Sequence, residues 1–375
     1  MTDFSPRPLR ISAGTMFRGG ESGPGTVLID RGRIAEVLNK EHPDADFHFP
    51  DGVLLPGLVD LHAHPAKTGS VFGADPDETM LARGTTTVLS QGDAGADNIE
   101  QFLKKTVLTS KTRVLLALNL SHIGESTDSG CFSHLADADI EACVEAASSH
   151  PDLVRMISVN VSHHACGDSE PREILKRGLL AAEQTGLPLL FGMRRPEDWP
   201  LEDQLKRLRP GDAVTYCFRR QPHCIVDFAE RSVLPCVRDA RDRGILFDVG
   251  HGMASFSFEV AEVAIGEGFL PDTISTDLQN RHVGQSPPHD LPLVMSKLAA
   301  VGMPESDILR AVTETPATTL KLECSSLDVG AAADLVVLAR KENVWLTDAS
   351  GTTRAGPRYE SQCVVKNGEV IISQR

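Results

Sequence analysis

No stretch of this 375-residue chain stays apolar for long enough to span a bilayer, and its opening residues, MTDFSPRPLR, contain no apolar signal core. A membrane protein is not expected, and the sequence reads as cytoplasmic. Basic residues are short in supply: 37 Lys and Arg stand against 52 Asp and Glu, with no long basic block. The formal charge of −15 argues against nucleic acid or an anionic membrane surface as the main partner. A small molecule is the expected ligand. The eight cysteines show no CxxC spacing, which favours reduced thiols over a disulfide framework. No internal repeat or low-complexity tract interrupts the chain.

What is present is enough hydrophobic residue, 41% of the chain, for one large barrel with a small satellite. Residues 8 to about 55 alternate short β-like runs, such as Thr26–Asp30 and Arg33–Val37, with turns. The same pattern returns after Gly330, where Asn367-Gly368 is a strong hairpin signal. Residues 1–55 and 325–375 are therefore expected to form one β-sandwich lobe. Between them, β-like runs at Thr85–Leu89, Arg113–Leu118, Met156–Val161, Pro188–Phe191, Ala213–Cys217, Ile245–Val249 and Thr273–Thr276 alternate with amphipathic helical stretches. With the apolar run Leu54–Leu61 they make eight strands, which predicts a (β/α)8 barrel over residues 56–324 with its chemistry at the strand C-terminal ends. The Ser/Asp/Gly-rich stretch around Glu125 to Gly130 reads as a mobile loop over the mouth.

The first of these strands opens into His62-Ala63-His64. Two imidazoles two residues apart on a strand point the same way, so both can reach one metal ion. The run PGLVDLHAHP resembles the signature of the amidohydrolase superfamily. The segments at 84–98 (GTTTVLSQGDAGADN), 113–124 (RVLLALNLSHIG), 247–262 (FDVGHGMASFSFEVAE) and 274–277 (ISTD) resemble, in order, strand-end motifs of its dihydroorotase-like subgroup. That subgroup includes deacetylases and ester hydrolases acting on acylated small acids. The resemblance implies a barrel, a divalent metal and hydrolysis of an amide, ester or cyclic amide.

It also implies a ligand set that this chain carries only in part. A complete binuclear member has two first-strand histidines, a carboxylated lysine on strand 4, histidines on strands 5 and 6, and an aspartate on strand 8 that binds metal and shuttles a proton. His62, His64 and Asp277 match. The lysine position falls on Ser158, with no lysine from Thr112 to Leu175. The strand 5 position falls on Gly192, with no histidine from Ala165 to Pro222, and Tyr216 stands at the strand 6 position. One divalent ion is therefore expected, zinc first and manganese or iron as alternatives, on two histidines and a carboxylate.

Replacement ligands could come from His163 and His164 after strand 4, or from Cys217, His223 and Cys224 after strand 6. His251 matches a histidine of the subgroup motif and could polarise a carbonyl or donate a proton. Arg194 and Arg195, with Arg219 and Arg220, place guanidinium groups on one rim sector and suggest an anionic substrate, with His163 and Asn160 as further contacts. The subgroup usually has an arginine where Asn160 stands, so the relatives' substrates do not transfer directly. A homo-oligomer is expected by analogy with the family. Two other readings remain open. One is a lyase, isomerase or lactonase on the same barrel using Tyr216, His251 and Asp277 with little or no metal, and the other is a non-catalytic homologue.

Overall fold

A computed structural model describes residues 7–194, 197–220, 224–322 and 326–373, so Arg195 and His223 lie outside the described residues. Four strands open the chain: β1 (Leu9–Arg18), β2 (Glu21–Asp30), β3 (Arg33–Leu38) and β4 (Phe47–Pro56). The central region supplies β5 (Leu58–Ala63), β6 (Thr85–Gln91), β7 (Arg113–Asn119), β8 (Val154–Asn160), β9 (Leu189–Gly192) and β10 (Ala213–Thr215). A short hairpin of β11 (Val226–Asp227) and β12 (Ser232–Val233) and then β13 (Leu246–Phe247) follow. The chain ends in β14 (Leu335–Thr347), β15 (Thr353–Lys366) and β16 (Glu369–Ser373).

The end strands join in one seven-stranded sheet ordered β16-β15-β14-β4-β1-β2-β3, with the seam where β14 pairs antiparallel to β4. Asn367 and Gly368 both take positive φ, 50° and 81°, as the tight turn between β15 and β16 requires. At the seam Lys366 reaches Asp334 at 2.5 Å, both side chains being buried. No helix among the described residues is long and apolar enough to cross a membrane.

The second sheet is parallel, with seven strands in the order β13-β10-β9-β8-β7-β6-β5. Its strands are apolar on both faces. Val59, Leu61, Leu89, Leu115, Ala117, Met156 and Leu190 cluster on one face, and Leu58, Val88, Leu116, Leu118, Ile157 and Val159 belong to the larger core that includes the surrounding helices. Helix Pro171–Thr185, for example, packs Ile174, Leu175, Ala181 and Ala182 inward and lies against β8 and β9.

The segment expected as an eighth strand, Thr273–Thr276, is not a regular strand, yet it fills the gap between β13 and β5. On one side Val249, His251 and Gly252 donate backbone hydrogen bonds to the carbonyls of Thr273, Ser275 and Thr276. On the other, Asp277 donates to the His62 carbonyl and His64 to that of Leu278. Side chains complete the closure. The Asp60 carboxylate, on β5, accepts from the Thr276 hydroxyl (2.6 Å) and the Thr276 amide (3.1 Å). Asp248, just past β13, accepts from Thr273 (2.6 Å), Ser275 (2.6 Å) and Thr215 (2.8 Å). Hydroxyl-to-carboxylate bonds here do part of what a ladder would do, because the backbone must leave the regular path to present Asp277.

Thr276→Val should cost about 1–3 kcal/mol, because it leaves the buried Asp60 carboxylate one donor short at nearly constant volume. Urea unfolding is the check, and a loss below about 0.5 kcal/mol would mean that the Asp60 bond does not hold the closure.

Candidate functional site

Each histidine of the His62/His64 pair is turned by a partner on its Nδ1. The Thr215 hydroxyl already donates to Asp248, so it accepts from His62 Nδ1–H at 2.7 Å, which leaves the lone pair on His62 Nε2. His64 Nδ1–H donates to Asp93 Oδ1 at 2.9 Å, and Asp93 is itself held by Ser90 at 2.6 Å. Partners of this kind on the outer nitrogen orient metal-binding imidazoles and raise their basicity. Both Nε2 atoms therefore face Asp277 Oδ1, at 3.5 Å from His62 and 3.3 Å from His64. One ligand atom from each of the three residues lies within 4.8 Å of the other two.

Three electron-rich atoms meeting in a buried space call for positive charge. His62 Nε2 is buried without a hydrogen-bond partner among the described residues. Burial works against a charged ring at His64, yet Asp93 and Asp277 push it up to about 10. Burial likewise opposes ionisation of Asp277, and the two histidines hold it below the usual carboxylate range all the same. A divalent cation meets the same demand, so the three residues fit a metal.

Asp277 is held in a left-handed conformation, φ 46°, an uncommon state for a non-glycine residue. Gly252 makes room for it: a Cβ there would fall 2.1 Å from Asp277 Oδ2. Tyr216 is likewise at positive φ, 69°, with its ring edge-on to His62 at 5.2 Å. The lysine position is filled by neutral groups, Gln91 donating to the Ser158 hydroxyl at 2.9 Å.

These residues stand at a cavity of about 270 Å³. His64, Asp277 and Tyr216 line it together with Asn160, His163, His164 and Arg219. His163 also pairs with Asp198 at 2.8 Å. Arg194 is not among the lining residues: it too pairs with Asp198, at 2.9 Å. Arg220 pairs with Glu259. Cys217 and Cys224 are buried and, like His163 and His164, stand outside the three-residue group.

His251 lies behind the cavity wall. Its Nδ1–H donates to the Gly252 carbonyl (2.9 Å), and its Nε2 accepts from the buried Lys297 ammonium (2.8 Å). Both ring nitrogens are thus engaged by the protein, and burial with the nearby Lys297 charge pushes the ring's pKa well below its ordinary value.

Three participants were not read from the sequence. Glu125, placed there only at the start of a loop, is 5% exposed and lines the cavity. Burial pushes its carboxyl up to about 7, against the pull of His64. Arg281, four residues after Asp277, also lines the cavity, with its guanidinium 5.5 Å from the centroid of the Phe72 ring. A basic residue in the loop that follows Asp277 was the available signal for it. Lys297 lies on a helix far along the chain from His251, and no local pattern marks that pair.

No protein-family model matches the chain. It is 32% identical over 358 residues to a deacetylase of Brucella anthropi, covering 93% of this chain and 88% of the relative. To a deacetylase of Agrobacterium fabrum it is 32% identical over 367 residues, covering 96% and 89%. Among solved structures, an adenine deaminase superposes with a TM-score of 0.87 at 27% identity, covering 97% of this chain and 100% of the other. A dihydroorotase does so with 0.86 at 31%, covering 98% and 99%.

The histidines behind the site generate a pH prediction. His289 donates from Nε2 to the Thr276 carbonyl at 2.9 Å and stacks on His282, with ring centroids 4.0 Å apart. Burial, helped by His282, lowers its pKa from 6.5 to about 3. The unfolded chain therefore takes up this proton first, and the stability His289 contributes above pH 6.5 drains away between 6.5 and 3. The stability advantage of the unaltered protein over His289→Asn should shrink by up to about 1.4 kcal/mol per pH unit in that window. An advantage that is equal at neutral pH and well inside the window, measured by urea unfolding, would contradict this.

Proposed function

The chain belongs to the amidohydrolase superfamily and is a hydrolase acting on C–N bonds, and from that premise we propose that it cleaves an amide bond in a small anionic metabolite using one divalent cation. The observation that carries this reading is the paired orientation of His62 and His64. Thr215 and Asp93 take the Nδ1 protons, so both Nε2 lone pairs face the Asp277 carboxylate in a buried space. A cation held by His62, His64 and Asp277, zinc first and manganese or iron as alternatives, would polarise the scissile carbonyl and acidify a water.

The chain's own groups supply the remainder. Asp277, held ionised, accepts a proton from the attacking water, and Gln279 fixes its Oδ1 at 3.1 Å. Burial, with Asp277 nearby, keeps the Tyr216 phenol protonated far above its ordinary range. Its hydroxyl has no hydrogen-bond partner among the described residues, so it can donate to the carbonyl oxygen as negative charge develops there. His251, locked by Lys297, positions the Gly250–Gly252 loop against which Asp277 rests. The neutral Gln91–Ser158 pair offers nothing to bridge a second cation, which supports a single one.

Arg219 and Arg281 give the cavity its affinity for an anion, with Asn160 and His163 lining the same space. A cavity of about 270 Å³ suits a compact substrate.

Metal analysis of protein purified without an affinity tag should find one equivalent, lost in His62→Ala and His64→Ala and retained in Ser158→Ala. Two equivalents, or none, would overturn the single-cation reading. Asp277→Asn should abolish turnover even where metal remains, and near-normal turnover would remove Asp277 as the base. Arg281→Met should raise KM for a carboxylated substrate about 10- to 100-fold while leaving a neutral analogue within a few-fold. Equal effects on both would remove Arg281 from substrate recognition.

A further inference from the structure

β14 and β15 outrun their sheet. Beyond Leu338 and before Cys363 they pair only with each other among the described strands, as a two-stranded ribbon. Asp348 organises the ribbon's turn. Its Oδ1 accepts from the Ser350 amide (2.8 Å), the Ser350 hydroxyl (2.8 Å) and the Thr352 amide (2.9 Å), which leaves Oδ2 for the Phe258 amide at 3.0 Å. Phe258 opens helix Phe258–Gly266, whose N-cap residue, Ser257, makes no side-chain cap bond, so Asp348 caps that helix from the terminal sheet. Next along the turn, the Ala349 amide donates to the Phe256 carbonyl at 3.2 Å. Phe256, gripped on both sides, lies nearly parallel to the buried His251 ring, with centroids 4.9 Å apart. The other group on that ring answers to the same ribbon. Lys297, which donates to His251 Nε2, follows Ser296, whose hydroxyl oxygen accepts from the Tyr359 amide of β15 at 2.9 Å. From His251 the path to Asp277 is one residue long: the Gly252 carbonyl accepts from the ring, its amide donates to the Thr276 carbonyl at 2.9 Å, and its Cα leaves no space beside Asp277 Oδ2.

We propose that Asp348 is a positioning residue for Asp277, acting through Phe256, His251 and Gly252. This rests on the reading of Asp277 as cation ligand and base. The links are buried, with Asp348 6% exposed, Phe256 1% and His251 3%. Close-packed interiors pass a displacement on rather than absorb it. Without the Asp348 carboxylate the turn loses its internal bonds and the Phe258 amide its acceptor, so Phe256 is released and the ring stacked on it loses one wall. Asp277 sits at φ 46°, a conformation that its surroundings must maintain, and is therefore the group most exposed to a shift of Gly252. The terminal sheet thus belongs to the framework of the reaction centre and is not an appendage of the barrel.

The probe is zinc alone, titrated into the metal-free full chain in competition with a coloured chelator. Asp348→Ala should weaken zinc binding about 10-fold. In the metal-free protein it should also shift the ring-nitrogen NMR signals of His251 and of His64, whose Nε2 lies 3.3 Å from Asp277 Oδ1. Arg354→Met is the control, because Arg354 ties the same ribbon to the same helix through Glu262, at 2.5 and 3.0 Å, without touching Phe256 or His251. It should lower stability modestly, keep zinc affinity within about 2-fold and leave the His64 signals in place. Unchanged zinc affinity in a folded Asp348→Ala would overturn the proposal, as would His64 signals that stay in place, or an equal loss in Arg354→Met. If Asp348→Ala does not fold, Phe256→Leu, which removes the stack on His251, is judged by the same measurements. An unaltered protein that binds no zinc would overturn the single-cation reading, and the NMR shifts then decide this proposal by themselves.

Discussion

Two buried aspartates, Asp60 on β5 and Asp248 just past β13, hold the barrel closed across the one segment that does not form a regular ladder. Neither has a lysine or arginine partner among the described residues. Asp60 is satisfied by one hydroxyl and two amide donors and Asp248 by three hydroxyls, an arrangement in which losing one donor is expensive because it leaves a polar group unpaired where water cannot reach it. The site depends on this closure. Asp277 immediately follows the clasped segment, and the same Asp248 holds Thr215, which turns His62. Barrel integrity and ligand orientation are thus carried by shared hydrogen bonds, so disturbing one disturbs the other.

The centre itself is an electrostatic demand created by geometry. Fixing both outer imidazole nitrogens as donors leaves two lone pairs aimed at an ionised carboxylate. Bulk solvent does little to relieve this, since the three residues are almost wholly buried. The chain maintains an arrangement that is favourable only with a positive charge inside it, and the hydrogen bonds that hold the rings prevent the simpler escape of rotating one away.

Much of this was legible in the sequence because it is local. His62 and His64 announce themselves by a two-residue spacing on an apolar strand, and the Asn367-Gly368 turn by its dipeptide. The parallel strands showed as apolar runs, although β10 and β13 proved shorter than their runs, with regular pairing ending before Tyr216 and Asp248. Thr273–Thr276 read as a strand because its composition suits one. Its backbone bonds do reach both neighbours, but the turn toward Asp277 breaks the regular pattern. What stayed hidden was tertiary. Arg194 and Arg281 look alike as sequence, and only the fold shows Asp198 drawing the first away from the cavity while the second lines it. Whether the nitrogens of His251 faced the substrate or the protein turned on Lys297, a residue 46 positions away.

The contact between Gly252 and Asp277 sets where variation is tolerable. No side chain fits at position 252 without pressing on the Asp277 carboxylate, so that loop is sterically bound to Asp277. Arg281 is free of that coupling, being exposed on the rim with its guanidinium over the Phe72 ring. Variation therefore has a natural direction: the outer wall around Arg281 can change without pressing on Asp277, while the floor at position 252 cannot.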